Sequence, residues 1–531
     1  MIINFTFKHL YRTGSYSYLI LISLMLTSLS WSQTRNDNAV EKQSQKNSNQ
    51  ILLSLSSANK YSELKSNSGI SLAIDPNNPA LRKKYFILTD SIDVDYETWE
   101  SKKHFWIAAG ELAMVQFIPW ALAKWGTTWD NPEDNWANVN TDTWWRNISY
   151  GWEYDGDAFL TNYFAHPYHG NLYFNVGRTN GYNFWESSAW AATGSMLWEY
   201  FGETFRPAIN DWVNTTLNGI TLGEVLYRLS AMLTDNTATG TNRVLREIGG
   251  ALLNPLRGFN RLISGETGKL FPNPEDRKSK EYLVTVNAGI RSLDKDGEGD
   301  NFAKEHIEEG LFVFDMFYGN LFNENIKKPF STFQLSLALS SGSPSLTRLQ
   351  AYGNLFGRYL MNRKNMQHLL VATLEYNYFN NPGFIYGGTS VVPRLVSRFL
   401  IGESTRIITN VGIDLIAMGA TPNDYFTDPE GRNYDFGPGI GIILRASIQN
   451  NIWDLVEIVY TSKWIYTQSE PASSRHNIHL LMISGQLPIR KYFAIGIGIG
   501  AYWRNSYYED FPDIFRKNPV LRIFFKTALH Y

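Results

Sequence analysis

The sequence predicts an α+β membrane protein: an N-terminal tryptophan-rich helical domain followed by a C-terminal antiparallel transmembrane β-barrel of about twelve strands. Three observations lead there. The chain ends on an alternating strand in which Leu521, Ile523, Phe525, Thr527, Leu529 and Tyr531 share a face. A terminal aromatic after such a strand is the usual ending of an outer-membrane barrel, where it sits in the interfacial girdle. The second half of the chain alternates in segments as long as a tilted membrane strand requires. Ahead of it, 13 of the 17 tryptophans fall between Trp99 and Trp212, and amphipathic rings favour places with one apolar and one wet side.

The N-terminus reads as a secretion signal over residues 1–32. Lys8 and Arg12 form its basic region, Tyr18 to Leu26 its apolar core, and Ser30-Trp31-Ser32 a small-residue cleavage site. Residues 33–60, rich in Asn, Ser, Gln and Lys, read as a disordered linker. Cysteine is absent, which excludes disulfides, a lipidated cysteine and thiolate metal sites. The net charge of -2 offers no field for nucleic acid. Mean hydropathy is -0.27. No internal stretch is free of charge or strong polarity for the length of a spanning helix, which argues against a helical transmembrane bundle. A barrel escapes such a search because only alternate residues face lipid.

Three zones follow the linker. Residues 61–95 are mixed, with an extended stretch expected at Tyr85 to Asp90. Residues 96–275 are helical, giving a predicted domain over 61–275 with its core at 144–262. Residues 280–531 form the barrel, with strands expected near 282–292, 308–319, 331–341, 347–360, 365–379, 385–400, 404–417, 437–450, 451–464, 475–488, 490–504 and 519–531. Phe493, Ile495, Ile497 and Ile499 illustrate the outward face, with Gly496, Gly498 and Gly500 on the lumen side. In an even-stranded barrel both ends of the sheet lie on one side. Connections after even strands are then short and those after odd strands long. Met361 to Lys364, Ile401 to Glu403, Asn450-Asn451 and the turn near Arg490 fit the short class. Residues 293–307, 418–436, 465–474 and 505–517 fit the long one. Only the connection at about 320–330, after the second strand, is longer than the rule prefers.

In the helical zone, Phe105 to Trp125 is apolar around most of its circumference, interrupted by Glu111 and Gln116, with Pro119 expected to kink it. It reads as a core helix, with a position against the barrel or the membrane as the alternative. Polar residues are densest over Asn147 to Asp157 and Asn162 to Gly170. Pro167 suits the first turn of a helix. Gly170, Gly177 and Gly181 lie near one helical face and would allow close packing. Glu199 and Glu203 stand at i and i+4, and Glu224 with Arg228 repeats that spacing as an ion pair.

Several motifs occur here in order: Asp157-Ala-Phe-Leu-Thr-Asn-Tyr-Phe-Ala-His166-Pro-Tyr-His169-Gly170, Arg178-Thr-Asn-Gly181, Trp198-Glu-Tyr-Phe-Gly-Glu203 and Gly223-Glu-Val-Leu-Tyr-Arg228. With them the run from about 144 to 262 resembles a bacterial domain of unknown function, family 3943. The resemblance implies an envelope protein and no particular reaction. Asp155-Gly156-Asp157 stands where the resemblance leads one to expect a more acidic run, which weakens a metal proposal there.

Two function classes fit. In the first, the barrel is structural or transporting, with the helical domain beneath it in the periplasm or plugging its lumen. The acidic residues Asp424, Asp428, Glu430 and Asp435 of a long loop then offer themselves to cations or surface partners. In the second, the helical domain is an enzyme acting on envelope lipid or glycan, with Asp157, His166, His169, Arg178, Glu199 and Glu203 as its candidate catalytic set: imidazole as base, carboxylate as orienter, guanidinium for a phosphate or oxyanion. Ser187 and Ser188 lack a nucleophile elbow. No metal ligand set is expected, because His166 and His169 straddle Pro167 and no His-Glu-x-x-His pattern exists; no cofactor is specified. The expected partners are outer-membrane lipid and, through the strand ending at Tyr531, the barrel-assembly machinery.

Overall fold

The computed structural model describes residues 64–65, 71–72, 98–127, 135–274, 281–296, 304–323, 326–427, 432–468 and 473–530. The expected signal, linker, extended stretch at Tyr85 to Asp90, and terminal Tyr531 lie outside the described residues, as do Asp428 and Glu430.

The twelve expected strands all form. They are β1 Tyr282–Lys295, β2 Glu305–Tyr318, β3 Phe333–Ser340, β4 Leu346–Arg363, β5 Met366–Asn381, β6 Phe384–Leu400, β7 Thr405–Pro422, β8 Tyr434–Asn450, β9 Trp453–Tyr466, β10 Ser474–Arg490, β11 Phe493–Tyr508 and β12 Ile514–His530. Each pairs antiparallel with its sequence neighbours, and β12 returns to β1 in register from Val520 opposite Leu293 to His530 opposite Leu283, closing the barrel. Closure leaves no unpaired strand edge, which an apolar surround demands.

The turn asymmetry holds with two exceptions. The connection between β5 and β6, Pro382-Gly383, is as tight as any on the opposite end. Residues 319–332 after β2 are long for a physical reason: they dock the helices. Phe330 is fully buried there, its ring 5.5 Å from that of Phe184, and the Pro329 carbonyl accepts a hydrogen bond from Arg228 at 3.1 Å.

Among the described residues, eight α-helices precede the barrel. They are α1 Phe105–Ala121, α2 Thr141–Tyr150, α3 His166–Arg178, α4 Phe184–Leu197, α5 Ile209–Val213, α6 Gly219–Leu233, α7 Gly240–Leu253 and α8 Pro255–Ile263. π-helical turns extend α1 to Gly126, precede α3 over Thr161–Ala165, follow α4 over Trp198–Gly202 and join α5 to α6 over Asn214–Asn218. Local chemistry sets their starts: Asn140 and Asn183 build capping boxes with Thr143 and Glu186, and Pro167 and Pro255 occupy first turns. Pro119 stays inside α1, one turn ahead of its π turn. Helices α3 and α6 cross at Gly170 and Gly219. A Cβ on Gly170 would meet the Thr215 carbonyl oxygen at 1.8 Å, and one on Gly219 the Gly170 Cα at 2.6 Å. The Glu224–Arg228 pair forms as expected, at 2.8 Å.

The helices pack against the outside of the barrel. On β5, Glu375, Asn377 and Phe379 line an interior cavity, so Tyr376 and Tyr378 between them point outward. Both are buried there: the Tyr376 hydroxyl donates to the Tyr163 carbonyl at 2.7 Å, and the Phe159 ring lies 5.6 Å from Tyr378. Phe314, Met316 and Tyr318 of β2, and Tyr434 and Phe436 of β8, join the same aromatic core as Phe174 and Phe184. Elsewhere the outer wall is bare and apolar, as at Ile440, Ile458, Ile497 and Phe525. The expectation of a lumen plug is therefore overturned. Among the described residues, the two lumen cavities are lined by barrel residues and the β2–β3 connection alone.

The lumen fills itself. Ion pairs line its wall between strands that neighbour one another or, for the second pair, lie next but one: Arg291 with Glu309 at 2.7 Å, Lys463 with Asp414, Arg394 with Glu375, and Arg445 with Glu457 at 2.6 Å. Phe384, Tyr386, Ile465, Met482 and Tyr502 form an apolar waist. Asp424 and Asp435, expected in an acidic loop open to cations, are already engaged. Arg504 and Arg516 each reach Asp424 at 2.7 Å, and His476 holds Asp435 at 2.8 Å.

The helices are inside-out. Arg257 and Arg261 of α8 are each 2% exposed and pair inward with Glu100 at 2.9 Å and with Glu247 at 2.8 Å. On the opposite face of α8, Leu262 is 66% exposed, and Phe259 and Ile263 also lie open, continuous with Val244, Leu245, Ile248 and Leu252 of α7. Helix α1 likewise exposes Phe105, Trp106, Met114, Phe117, Ile118 and Trp125. The reading of α1 as a core helix is corrected here. Phe105–Gly126 is long and apolar enough to cross a membrane, with mean hydropathy 1.4 and only 17% of its best window buried. The residues that interrupt the run in sequence are turned inward. Glu111 accepts from Asn180 at 2.6 Å, and Gln116 donates to the Gly194 carbonyl at 2.7 Å.

Candidate functional site

A carboxylate-rich pocket lies where the extended segment 151–158, the start of α3 and the start of α5 meet the upper edge of β8. The segment is pinned by a parallel bridge: the Glu153 amide donates to Pro207 at 2.8 Å and the Ile209 amide to Glu153 at 2.9 Å. The barrel wall reaches in directly. The Tyr434 hydroxyl donates to the Asp157 carbonyl at 2.8 Å and accepts from Asn162 at 2.7 Å.

At its centre the His166 Nε2 lies 3.4 Å from Asp211 Oδ2 and 3.6 Å from Asp157 Oδ2. Asp155 accepts from Asn210 at 2.6 Å and from Asn162 at 3.2 Å, and Asn210 also donates to Asp211 at 2.8 Å. Glu199 accepts the Ala208 amide at 2.8 Å. Among the described residues no lysine or arginine forms an ion pair with Asp155, Asp157, Asp211 or Glu199; the Arg432 guanidinium donates to the Asp155 carbonyl oxygen at 3.3 Å.

The cluster lies at helix ends, outside the membrane-length stretches, and its carboxyls are strained electrostatically. Burial pushes Glu199 up to about 8, with Asp155 and Asp157 adding to it against the Ala208 amide and His166. Burial first, and then the neighbouring carboxylates, raises Asp211 and Glu203 well above the usual range. Burial opposes charge on the His166 imidazole, but Asp157, Glu199 and Asp155 outweigh it and raise its pKa. Such a pocket can hold a cation, or hold protonated carboxyls beside an imidazole for proton transfer.

Four of the six residues expected from sequence, Asp157, His166, Glu199 and Glu203, gather here. Glu199 and Glu203 do so from a π turn and the extended residue after it, not from one helical face. His169 stands beside the pocket with its ring facing the Val115 carbonyl oxygen at 3.3 Å and packed between Tyr173 and Trp198. Arg178 does not belong to it. At the far end of α3 it pairs with Glu224 at 2.8 Å and stacks over Tyr227. Ser187 and Ser188 turn back on the carbonyls of Tyr182 and Phe184. Sequence reasoning placed Asp155 and Asn162 in its dense polar runs but outside the candidate set, and missed Asn210 and Asp211. The one signal for the last two was an Asn-Asp dipeptide within an otherwise apolar start to a helix.

A second feature lies on the same bundle. An apolar groove of about 590 Å3 runs between α1 and α4, lined by Phe105, Ala109, Leu112, Ala113, Trp190 and Leu197 among others, with Gln116 as one of its few polar walls. Leu197 immediately precedes Trp198 and Glu199.

Several solved channels are similar at low identity. The KdgM porin shares 7% identity over 46% of this chain and 98% of its own, with a TM-score of 0.22. An outer membrane channel from Pseudomonas putida F1 shares 12% over 49% and 100%, with a TM-score of 0.23. An anion-selective porin from Comamonas acidovorans shares 6% over 47% and 100%, with a TM-score of 0.19. No curated protein sequence matches the chain. Residues 151–256, the segment that supplies Asp155, Asp157, His166, Glu199, Glu203 and Asp211, match the family described as a domain of unknown function (DUF3943).

Proposed function

We propose that this protein is an outer-membrane β-barrel whose outer wall carries a lipid-embedded helical bundle, and that the bundle acts on an envelope lipid. One observation carries the reading: the bundle turns its arginines inward and its leucines, isoleucines and aromatics outward, continuous with the apolar barrel wall. Burying charge while exposing large apolar surface is unfavourable in water and favourable in lipid. The tryptophans around the pocket, Trp136, Trp144, Trp152, Trp198 and Trp212, have the placement of an interfacial belt. The groove between α1 and α4 suits an acyl chain entering from the bilayer, leaving the headgroup near Glu199 and His166. The barrel serves as anchor, its lumen lined by ion pairs and narrowed by the apolar waist.

Two measurements test this. In vesicles of lipid with brominated acyl chains, Trp106, Trp125 and Trp185 should be strongly quenched; emission unchanged from that in unbrominated lipid would overturn the embedded bundle. With the bundle embedded, His166→Ala and Glu199→Gln should change the lipid profile of cells. An unchanged profile with normal barrel insertion would remove the lipid activity.

A second reading, passage of small anions, has one observation in its favour. A cavity of about 620 Å3 opens at the end holding Tyr282 and His530, and Arg398, Arg406 and Lys526 in its wall have no carboxylate partner among the described residues. Single-channel recording with chloride and sulfate salts decides it, since the filled waist predicts no steady conductance.

A further inference from the structure

We propose that Asp157, His166 and Asp211 form a binding site for one divalent transition-metal ion of the zinc class. The three donor atoms lie within 4.8 Å of one another. Two ligand atoms held about 2.0–2.1 Å from a tetrahedral ion are separated by about 3.4 Å, and the imidazole nitrogen stands 3.4 Å and 3.6 Å from the two carboxylate oxygens. These spacings are too long for hydrogen bonds. The same chain shows what a bonded His–Asp pair looks like: His476 Nε2 closes on Asp435 Oδ2 at 2.8 Å. At His166 the Nε2 atom is buried yet has no hydrogen-bond partner.

Independent observations point to an occupant. The Asn162 side chain is 1% exposed and donates to Asp155, while its Oδ1 is left without a partner. Buried polar atoms are seldom left unmet. Among the described residues no lysine or arginine pairs with Asp155, Asp157 or Asp211, so no fixed side-chain cation competes with a metal ion for their oxygens. One nitrogen and two oxygens make a three-ligand set that keeps a fourth position open, as in zinc sites that bind water or substrate. The carboxylate of Asp157, 45% exposed, provides the entry side, and Asn210 orients Asp211 from behind.

This inference stands apart from the lipid reading and is tested without lipid substrate. The full chain in detergent, stripped with chelator, is titrated with zinc by calorimetry and its bound metal counted by mass spectrometry. One zinc per chain is expected, with binding weakened at least tenfold in His166→Ala and in Asp211→Asn and unchanged in Arg178→Lys. Cobalt(II) added to the unmutated chain provides a readout that depends on no variant, and should give the intense visible absorption of a four-coordinate site. The proposal is overturned by absence of a stoichiometric site, by affinity insensitive to both substitutions, or by a cobalt spectrum equal to that of the aqueous ion. Metal binding with an unchanged cellular lipid profile would uphold this site and remove the lipid activity alone.

Discussion

Replacing Met114 by arginine puts the embedded bundle to a quantitative test. Met114 lies mid-way along α1 and is 52% exposed on the barrel exterior. At the centre of a spanning helix, arginine costs about 2.5–3.5 kcal/mol. With about half of the side chain facing the surround, a loss of roughly 2 kcal/mol follows on that scale. If water surrounded α1, the same change would stay within about 0.5 kcal/mol. The assay is urea unfolding of the protein in vesicles, followed by helical circular dichroism, with the heat-dependent gel shift reporting separately that the barrel stays closed. Phe511→Arg is the matched control, because Phe511 is 44% exposed in the connection between β11 and β12 and should change little. Equal and negligible effects at both positions would refute the lipid-embedded bundle. Equal losses at both would show that the charge, and not its depth, was being measured.

Other expectations follow from packing and charge. Gly170→Ala drives a Cβ into the Thr215 carbonyl and should destabilise the bundle by at least about 1–3 kcal/mol; protease should cut the helical segment while the barrel still shows its heat shift. Arg178→Ala leaves the buried Glu224 with Arg228 as its remaining partner and should cost about 1.5–3 kcal/mol, the loss of a hydrogen bond to a charged group, yet the folded protein should bind zinc normally. Lys463→Met strands Asp414 inside the lumen at a similar cost of about 3–5 kcal/mol, and adding Asp414→Asn should recover most of it in urea unfolding. Conductance should remain absent in the double variant, since the waist of Phe384, Tyr386 and Tyr502 is untouched.

The barrel was legible because alternation is a local property. Phe493, Ile495, Ile497 and Ile499 state their face by spacing alone, and tight turns such as Asn451-Ile452 state the end of the barrel on which they lie. The seat of the helices was not. Tyr376 and Tyr378 alternate like any lipid-facing pair, and only three-dimensional packing shows that helices cover them. Glu111 and Gln116 broke the hydropathy of α1 in sequence, although folding hides both from the surround. The pocket was half legible. His166 and Asp157 share a dense polar run, while Asp211 arrives through a parallel bridge between Glu153 and Ala208 that no local pattern encodes.

The buried Glu111 has a consequence for export. A chain destined for an outer membrane must first pass through an inner one without lodging there. Strands manage this because their apolar residues are interleaved with polar ones. Helix α1 has no such alternation, and Glu111, Gln116 and Pro119 are what lower its hydropathy. On the outer-membrane reading proposed above, the carboxylate that Asn180 bonds in the folded bundle would also keep α1 from lodging in the inner membrane. Glu111→Leu would turn α1 into a stop-transfer segment and strand the protein in the wrong membrane.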